Sequence, residues 1–326
     1  MNRPLRLGVV GCSSIAWRRA LPAVCESDRV TLVAVASRDK EKAKRFAEHF
    51  DCDATDYLTL VARDDIDAVY LPLPPSLHLE WGSAVLRAGK HLLCEKPIAT
   101  TAAEAGELIG VAQEAGLVLR ENFTFLHHSQ HAAVSALMDE GRLGEPRSFT
   151  ASFCFPPLPE TDIRYVASLG GGSLLDAGVY PIRAAQLLLG NDLMVVGASL
   201  RMGDGVDLAG QAQLVSADGV FVSAQFGFQH SYASRYELWG STARLNLERA
   251  FTPPADRSPL LRITGQDGTE GVVLPADHQF RRSVESFADA VLAGHGPAHV
   301  DERRWSMDSL RTMELVDEIR TRAVLV

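Results

Sequence analysis

The sequence predicts an α/β protein made of two domains, and three observations lead to that expectation. Its 326 residues exceed the usual size of a single hydrophobic core. Between Leu5 and Glu121, short apolar runs alternate with helical patterns, which predicts a parallel sheet covered by helices. After Ser148, several strand-like runs joined by turns such as 217–219 favour antiparallel pairing. We place the boundary after Asn122, so that the predicted domains span residues 1–122 and 123–326.

The composition is that of a soluble globular protein, with 46% hydrophobic and 22% charged residues. A formal net charge of −9 argues against a general nucleic-acid surface. The five cysteines include no CxxC pair and are odd in number, which predicts reduced thiols. A strand pattern begins by Leu5 and leaves no room for a signal peptide, and no apolar run approaches the roughly 18 residues that cross a bilayer. We therefore expect a cytoplasmic protein that binds neither nucleic acid nor a membrane.

Strands and helices are expected to alternate throughout the first domain. The predicted strands are Leu5–Val10, Thr31–Ala36, Ala68–Leu71, His91–Cys94 and Leu117–Glu121, and the predicted helices run through 17–24, Lys40–Phe50, Leu77–Ala88 and Ala102–Ala115. Ligands of such sheets bind at the carboxyl edge of the strands. The loops that follow the strands are therefore the first places to look for a binding site.

The turn after the first strand has the spacing of a dinucleotide-binding fingerprint. Gly11 is followed by Ser13 and Ala16 at the positions of the second and third glycines. Gly11 makes the turn, Ala16 still permits close packing of helix on strand, and Ser13 is small and can add a hydroxyl donor at the helix N-terminus. We predict that this turn binds a cofactor pyrophosphate through Gly11, Cys12, Ser13, Ser14, Ile15 and Ala16.

The end of the second strand indicates which cofactor binds. An NAD-type site places Asp or Glu about 20 residues after the glycine turn, whereas this strand ends in Ser37-Arg38, followed by Lys40 and Lys42. A guanidinium grips phosphate oxygens in a bidentate way, and an acid at this position would repel them. We therefore predict NADP(H), with Ser37 and Arg38 at the 2′-phosphate. The alternative is that these cations are only the solvated start of a helix.

Two further loops extend the predicted cofactor site. The third apolar strand runs into Leu71-Pro72-Leu73-Pro74, whose prolines fix a loop at the carboxyl edge of the sheet. His78 follows closely and is included in the site, although the start of a helix is the alternative explanation. The fourth strand ends in Glu95-Lys96-Pro97.

The second domain begins with a helix and continues into a series of strands. His127 and His131 stand four residues apart, but they lack the intervening Glu of HExxH and any accompanying carboxylate or thiolate cluster, so no metal site is predicted. A proline-rich loop at 156–169 contains Arg164 and Tyr165. The predicted strands are Ser148–Phe155, Leu193–Leu200, Gln211–Ser216, Val220–Phe228, Tyr236–Gly240, Ala243–Leu247, Leu260–Thr264 and Gly271–Leu274, and the closing helices are Gln279–Ala293 and Asp301–Arg320.

A glycine-rich stretch, GGGSLLDAGVYP, occupies residues 170–181. Three consecutive glycines can lie against a ligand, and we expect this backbone to approach cofactor and substrate. The apolar spacing that follows predicts a buried helix, on which Asp176 and Tyr180 lie four residues apart and share a face. An acid and a phenol presented together indicate site chemistry. The alternative is a capped core helix whose tyrosine hydroxyl finds a backbone partner.

Together, the serine-modified fingerprint, Glu95-Lys96-Pro97 and the GGG…DxGxY segment resemble the Gfo/Idh/MocA oxidoreductases over essentially the whole chain. The resemblance implies a Rossmann domain followed by a C-terminal α/β domain with an open, mostly antiparallel sheet. It implies that Lys96 points at the substrate beside the nicotinamide, with a bond to Pro97 that is often cis in relatives. It also implies that the loop before the glycines lies over both ligands, and that the C-terminal sheet forms a homo-oligomer, either a dimer or a tetramer.

These motifs and the resemblance define the expected site. The cofactor set is Gly11, Cys12, Ser13, Ser14, Ile15, Ala16, Ser37, Arg38, Leu71, Pro72, Leu73, Pro74, His78, Glu95, Lys96, Pro97, Asn122 and Arg164. The substrate set is Tyr165, Asp176, Tyr180, Tyr232 and Tyr236, and the catalytic set is Lys96, Asp176 and Tyr180.

Tyr180 is the expected general acid for the reduction of a ketone. A tyrosine is neutral at pH 7, with a reference pKa of about 10. A neighbouring Lys96 ammonium would stabilise the developing alkoxide and ease ionisation of the tyrosine. Asp176 is expected either to hydrogen-bond the substrate or to hold the Lys96 charge in place.

The identity of residue 180 indicates a subgroup of the family. Many relatives, such as inositol dehydrogenases, have His where Tyr180 stands. Within the Tyr subgroup, residues 15–22 (IAWRRALP) and 121–131 (ENFTFLHHSQH) look most like the 3-ketoreductases that use NADPH on dTDP-linked 3,4-diketo-2,6-dideoxyhexoses. The alternatives are an NADP-dependent xylose or glucose dehydrogenase, a dihydrodiol dehydrogenase, and a non-catalytic NADP(H)-binding regulator. A regulator is expected to have lost Lys96 or Tyr180, and both are present.

Overall fold

A six-stranded parallel sheet forms the first part of the protein in the computed structural model, which describes residues 3–326. Its strands are β1 (Leu5–Val10), β2 (Val30–Ala36), β3 (Asp53–Thr55), β4 (Ala68–Leu71), β5 (His91–Cys94) and β6 (Leu119–Glu121). They lie in the order β3-β2-β1-β4-β5-β6, and every pairing is parallel. This is the Rossmann order, in which ligands bind where the strand order reverses, at the carboxyl ends of β1 and β4.

Helices connect these strands. They are α1 (Leu21–Cys25), α2 (Lys40–Phe50), α3 (Tyr57–Ala62), α4 (His78–Arg87) and α5 (Ala102–Ala115), and a π-helical turn at Ala16–Ala20 precedes α1. The side chains of Asp39, Asp56 and Thr101 cap α2, α3 and α5 by accepting a hydrogen bond from the amide three residues on. Strand β3 and helix α3 are absent from the prediction because they have only 3 and 6 residues, too few for a clear periodic pattern.

The core of this part includes a helix from far along the chain. Leu7, Val9 and Tyr70 belong to one buried cluster, and Val284 and Phe287 of α8 (Gln279–Leu292) belong to the same cluster. The apolar face of α8 therefore completes the covering of the parallel sheet.

Residue contacts divide the chain into two units. The first unit is the chain up to Thr124 together with Phe280–Leu310, and the second is Phe125–Gln279 together with Arg311–Val326. The division into domains of 1–122 and 123–326 remains a prediction. That division places Phe280–Leu310 in the second domain, whereas these residues belong to the first unit.

A nine-stranded mixed sheet forms the second unit. Its strands are β7 (Pro146–Cys154), β8 (Leu193–Gly203), β9 (Val206–Ser216), β10 (Phe221–Gly227), β11 (Ala233–Gly240), β12 (Ala243–Glu248), β13 (Leu260–Gly265), β14 (Gly268–Val273) and β15 (Ala323–Leu325). Their order is β14-β13-β12-β11-β7-β10-β9-β8-β15, and all pairs are antiparallel except β7 with β10 and β8 with β15. The predicted mostly antiparallel sheet is confirmed. The three-residue β15 is absent from the prediction.

The remaining helices are α6 (Ser129–Asp139), α7 (Val179–Leu189) and α9 (Val300–Arg322). Helix α7 packs on β7 and β10, and its Ile182, Ala184 and Ala185 are fully buried. The inner side of the sheet therefore holds the helix that carries Tyr180.

The opposite side of the sheet carries an exposed row of side chains, which we call the outer row. Met194 pairs with Val215, Val215 with Phe221, Phe221 with Ser148, and Ser148 with Trp239. Met194, Phe221 and Trp239 are 56%, 69% and 51% exposed. The outer row thus crosses five adjacent strands, and large apolar groups on three of them lie in solvent.

All five cysteines are free thiols. None of the helices within residues 3–326 has both the length and the apolar character needed to span a membrane.

Candidate active site

The turn after β1 is built around a glycine with a left-handed backbone. Gly11 has a φ of 120°, and a Cβ there would lie 2.8 Å from Leu73 Cδ2 and 3.1 Å from the Pro72 carbonyl oxygen. Only glycine therefore allows the loop after β4 to lie this close to the turn. The turn predicted to bind pyrophosphate and the predicted proline loop meet where the strand order reverses.

Ser13 and Ala16 occupy the two altered glycine positions. Ser13 Oγ accepts a hydrogen bond from the Ala16 amide at 3.2 Å, and an accepting hydroxyl can still donate its proton to a ligand. Ala16 is fully buried, which permits the close packing of helix on strand. Cys12 is also buried, and burial raises the pKa of its thiol to about 11. Cys12 therefore contributes packing and backbone rather than a reactive thiolate.

Strand β2 ends in a buried Ser37 followed by an exposed Arg38. Ser37 Oγ accepts from the Asp39 amide at 3.1 Å, and Asp39 Oδ1 accepts from the Lys42 amide at 3.0 Å. The Asp39 carboxylate is thus used as a helix cap. Among residues 3–326, no carboxylate forms an ion pair with Arg38. The exposed charge at this strand end is therefore positive.

His78 joins two loops instead of facing a ligand. Its Nδ1 lies 2.9 Å from the Pro97 carbonyl oxygen, its Nε2 lies 2.8 Å from the Leu73 carbonyl oxygen, and the residue is 1% exposed. Burial lowers the pKa of His78, and the hydrogen bonds to the two carbonyl oxygens oppose that shift. Among the predicted cofactor residues, His78 therefore acts by holding the proline loop beside Pro97.

A buried carboxylate organises the strand ends around Lys96. Glu95 Oε1 accepts hydrogen bonds from the Tyr70 hydroxyl and from Asn122 Nδ2, both at 2.7 Å, and Oε2 accepts from the Lys96 amide at 3.3 Å. Asn122 Oδ1 accepts in turn from Ser283 Oγ at 2.7 Å. Burial raises the pKa of Glu95, and the surrounding donors oppose that rise. The Glu95 and Asn122 side chains therefore bind protein groups and shape the backbone that carries Lys96.

The segment that carries Lys96 is held on both sides. The Lys96–Pro97 peptide bond is cis. Beyond it, the Ile98 amide donates to Glu121 Oε1 at 2.8 Å. Two glutamates from the ends of β5 and β6 therefore fix the backbone before and after the lysine.

The glycines at 170–172 contact the protein's own loop, and their approach to a ligand remains a prediction. The amides of Gly171 and Gly172 donate to the carbonyl oxygens of Val166 and Arg164 at 3.1 and 2.9 Å. A Cβ on Gly171 would lie 2.6 Å from the Arg164 carbonyl oxygen, and a Cβ on Gly172, whose φ is 117°, would clash with the Asp207 carboxylate. The glycines therefore allow the loop that carries Arg164 to lie against the start of the next helix.

The helix that follows is capped from β9 and begins irregularly. Asp207 Oδ2 accepts from Ser173 Oγ at 2.7 Å and from the Leu174 amide at 2.6 Å. The first turn, Leu174–Gly178, is π-helical, and α7 continues from it. The prediction of one regular helix that stacks Asp176 under Tyr180 is therefore wrong at this turn, because a π turn contains an extra residue.

Asp176 is paired with the loop arginine that we assigned to the cofactor. Arg164 Nε donates to Asp176 Oδ2 at 2.6 Å, and Arg164 Nη1 donates to Asp162 Oδ1 at 3.2 Å. The Asp176 charge raises the pKa of Arg164, which keeps the guanidinium ionised. The pair joins the loop to the helix start and neutralises the predicted catalytic acid.

Tyr180 lies in a cluster of aromatic rings. Its ring centroid is 4.7 Å from that of Phe153, 5.6 Å from Phe251 and 5.7 Å from Phe125. The tyrosine itself is half-buried. Rings packed in this way hold the phenol in one orientation, as a positioned proton donor requires.

The other tyrosines assigned to the substrate have different surroundings. Tyr236 is 2% exposed, and its hydroxyl lies 3.0 Å from His131 Nδ1, which corrects its assignment to the substrate. It points inward because buried and exposed residues alternate along β11. The Tyr165 hydroxyl accepts from the Leu158 amide at 3.1 Å and so stabilises its own loop. Tyr232 is 42% exposed and remains open to a ligand.

The histidines of the second unit and of the connection between α8 and α9 contact protein groups. His131 Nε2 lies 3.0 Å from the Ala250 carbonyl oxygen, and burial lowers the pKa of His131 to about 3. His295, His299 and Glu302 bring potential metal-ligand atoms within 4.8 Å of one another. Both Glu302 oxygens accept hydrogen bonds from Arg120, at 2.6 and 2.8 Å, and this neutralises the carboxylate without an ion.

Comparison with known families agrees with this architecture. Residues 5–123 match a family model described as "Oxidoreductase family, NAD-binding Rossmann fold", and residues 131–246 match "GFO/IDH/MocA C-terminal domain". The chain belongs to the Gfo/Idh/MocA oxidoreductase family. The first matched segment of this Gfo/Idh/MocA chain contains the whole parallel sheet, and the second contains most strands of the mixed sheet.

Relatives match this family member along nearly its full length. It is 52% identical to a dTDP-3,4-didehydro-2,6-dideoxy-alpha-D-glucose 3-reductase from Actinomadura kijaniata, over 98% of this chain and 96% of that protein. It is 49% identical to a protein of the same description from Saccharopolyspora spinosa, over 96% and 94%. A D-xylose 1-dehydrogenase (NADP(+)) from Haloferax volcanii is 33% identical over 96% and 97%.

The Actinomadura kijaniata relative has also been solved. Its crystal structure with NADP and TDP-benzene has a TM-score of 0.95 and covers 99% of both chains. Structures of its variants, one with a tyrosine replaced by phenylalanine and one with a lysine replaced by alanine, have TM-scores of 0.95 and 0.92. Each unit of this family member therefore has the fold of the solved 3-ketoreductase.

The glycine at 172 provides a test of the loop packing described above. We expect Gly172→Ala to lower the free energy of unfolding by about 1–3 kcal/mol, because a side chain at this φ is strained and meets Asp207. Urea unfolding followed by circular dichroism measures the effect. The matched control is Gly110→Ala inside α5, where nothing lies within 4 Å of the new Cβ. It should raise the stability by roughly 0.5–1 kcal/mol. Equal stabilities for the Gly172 variant and the wild type would contradict the packing argument.

Proposed function

We propose that this protein reduces the C-3 keto group of a dTDP-linked keto-deoxysugar with NADPH, in the biosynthesis of deoxysugars for natural products. The observation that carries the proposal is the 52% identity with a 3-reductase of such a sugar across 98% of this chain. That match includes both the glycine turn of the first unit and the Tyr180 segment of the second. The protein is an NADP(H)-dependent oxidoreductase that acts on CH–OH and C=O groups.

The residues of the first unit fit NADP(H). Gly11 leaves the turn without a Cβ, Ser13 presents a hydroxyl at the helix start, and Arg38 is an exposed cation at the end of β2. These groups are proposed to hold the pyrophosphate and the 2′-phosphate. When bound, NADPH supplies a hydride to the carbonyl carbon of the substrate.

Tyr180 is proposed to supply the proton. As the carbonyl carbon gains the hydride, the Tyr180 O–H bond breaks and the proton passes to the carbonyl oxygen, which leaves an alcohol and NADP⁺. The tyrosinate then regains a proton from solvent. The packed ring supports this role because its orientation is set by Phe153, Phe251 and Phe125.

Lys96 and Asp176 are proposed to act on the charge and on the position of the substrate. The Lys96 ammonium stabilises the negative charge that develops on the carbonyl oxygen. Of the two roles expected for Asp176, we favour a hydrogen bond to the substrate, because Arg164 already balances its charge. Arg164 is proposed to act through Asp176.

Oxidation of a free aldose is the second candidate, with Tyr180 as the base. It is supported by the 33% identity to a D-xylose 1-dehydrogenase over the same length of chain. The higher identity to the sugar-nucleotide reductases leads us to favour ketone reduction.

Replacement of the tyrosine hydroxyl tests the proposed chemistry. We expect Tyr180→Phe to lower kcat for a dTDP-linked 3-keto sugar by about 10²–10⁴-fold, because a general acid is lost while the ring remains. Oxidation of NADPH, followed by its absorbance, measures the rate. The melting temperature and the Kd for NADPH should be unchanged. Full activity in this variant would contradict the assignment, and turnover of free xylose or glucose alone by the wild type would favour the second candidate.

The choice of cofactor is tested at Arg38. Arg38→Ala should weaken NADPH binding by about 10- to 100-fold, the loss expected for one charge-assisted phosphate contact, and should leave NADH binding unchanged. Fluorescence titration gives both affinities. Arg45→Ala, an exposed arginine on α2, is the matched control. Equal weakening in both variants would show a general charge effect and exclude the specific contact.

We also propose that the protein is a cytoplasmic homo-oligomer in which the outer row of one copy covers that of another. The free thiols support a reducing compartment. Large exposed apolar groups on three of the five strands that the outer row crosses support an interface with a second copy, because monomeric proteins rarely leave such a patch in water. A homo-oligomer formed in this way is a dimer or a larger symmetric assembly.

Charges placed in the outer row should break this interface. We expect the wild type to elute with two or four times the chain mass, and the double variant Phe221→Glu, Trp239→Glu to elute as a monomer, because burial of two carboxylates is unfavourable. Size-exclusion chromatography with light scattering measures the mass. Leu58→Glu, on an apolar residue that is 72% exposed in the first unit, is the control. A monomeric wild type, or a double variant of unchanged mass, would contradict the proposed interface.

A further inference from the structure

A left-handed arginine lies close in the chain to the aromatic cluster around Tyr180. Arg249 directly follows β12 and has a φ of 57°. Within residues 3–326, Asp51 is the only other non-glycine residue with a positive φ, and it is the C-cap of α2. No helix end explains the backbone of Arg249. Such strain at a bulky residue persists only where the surroundings enforce it, and it is concentrated at ligand sites.

The surroundings of Arg249 do enforce its backbone. The Ala250 amide donates to the Ser234 carbonyl oxygen at 2.8 Å, and the Ala250 carbonyl oxygen lies 3.0 Å from His131 Nε2. The Phe251 amide donates to Ser234 Oγ at 3.1 Å. These contacts hold the two residues after Arg249 in the core, so the arginine is turned into its left-handed conformation at the surface.

The Arg249 side chain is oriented but its charge is not paired with an acid. Its Cζ lies 4.4 Å from the ring centroid of Tyr232, and the Tyr232 hydroxyl is 2.5 Å from Thr252 Oγ1. Among residues 3–326, no carboxylate forms an ion pair with Arg249, and the adjacent Glu248 lies 3.9 Å from Arg235 instead. A guanidinium stacked on a ring keeps the edges of its N–H fork open to an anion.

The connection of Arg249 to Tyr180 through Phe251 indicates which anion the arginine would bind. The Phe251 ring contacts Tyr180 at a centroid distance of 5.6 Å, and Arg249 is two residues away, at most about 7 Å of extended chain. In a nucleotide-linked sugar, part of one sugar ring separates the reacting keto carbon from the diphosphate. A cation carried two residues from a ring that contacts the proposed proton donor therefore suits a diphosphate joined to the reacting sugar.

We propose that Arg249, Tyr232 and Thr252 form the subsite for the diphosphate of the sugar nucleotide. The inference rests on the proposed function and names the residues that recognise the nucleotide. The Arg249 fork contacts two phosphate oxygens. The hydroxyl pair of Tyr232 and Thr252 adds one further donor, because the proton of the other hydroxyl is used in the bond between them. The subsite lies within the second unit. Arg249 and Thr252 follow β12 in the chain, and Tyr232 directly precedes β11.

Calorimetric titration with dTDP, thymidine and NADPH tests the subsite. Arg249→Ala and Arg249→Gly should each bind dTDP about 10- to 100-fold more weakly than the wild type, while binding of NADPH is unchanged. The glycine variant separates binding from folding, because glycine adopts a left-handed φ without strain and should melt no lower than the wild type. Arg262→Ala, an exposed arginine on β13, is the matched control and should bind dTDP as the wild type does.

Kinetics and the other ligands complete the test. With a dTDP-linked keto sugar, the Arg249 variants should show a raised KM at nearly constant kcat, because the subsite is remote from the reacting carbon. Wild-type affinity for dTDP in both variants would overturn the subsite even if the wild type reduces the sugar nucleotide. A parallel loss of NADPH affinity would also overturn it, since the cofactor phosphates would then be the ligand. A wild type that binds dTDP no better than thymidine, and reduces only free sugars, would overturn the proposed function itself.

Discussion

The buried carboxylate of Glu95 is the group on which the site of the first unit depends. It stands at the end of β5 and accepts hydrogen bonds from Tyr70 of β4, from Asn122 just beyond β6 and from the Lys96 amide. These donors come from the carboxyl ends of adjacent parallel strands. The Glu95 side chain therefore fixes the positions of the three strand ends relative to one another. Removal of the carboxylate would leave buried donors without a partner, at a cost of about 1–3 kcal/mol each. Lys96 is therefore presented by a rigid edge rather than by a flexible loop.

In the second unit, the loop before the glycines is held in place by contacts with the start of the helix that follows it. This loop contains only short 3₁₀ turns, and none of residues 156–169 is fully buried, so regular structure alone does not hold the loop in place. Asp207 caps the helix start beneath it, and Arg164 reaches from the loop to Asp176. Because Gly171 and Gly172 have no Cβ, the loop and the helix start can approach closely enough for these bonds. The ion pair is only partly exposed, so solvent screens it less than it screens a surface pair.

Local sequence patterns predicted most helices and strands. They failed where contacts with residues distant in the chain determine what a side chain or a backbone segment touches. Helix Lys40–Phe50 was predictable because it has an Asp cap and an apolar face, which are both local features. The sequence also indicated that Ala16 is buried, since close packing at this position is a property of the turn itself. In contrast, glycine allows close approach by any group, so the pattern did not indicate that Gly171 and Gly172 lie against Val166 and Arg164 of the protein's own loop. Tyr236 was misassigned because a tyrosine in a strand can face either side of the sheet. Arg249 carries no sequence signal, since its conformation depends on bonds from Ser234 and His131.

The π-helical turn before α7 explains why Asp176 and Tyr180 do different things although they are four residues apart. In a continuous α-helix this spacing would stack the two side chains on one face. The Val179 amide instead donates to the Leu174 carbonyl oxygen, from residue i+5 to residue i, so the turn holds one residue more than an α-helical turn. One extra residue rotates the following helix by about 100° relative to the preceding one. Asp176 is thereby directed to Arg164, while Tyr180 enters the ring cluster with Phe153. A π turn also begins the helix at Ala16–Ala20, directly after the cofactor turn, so both helices that carry the proposed site start with the same irregularity.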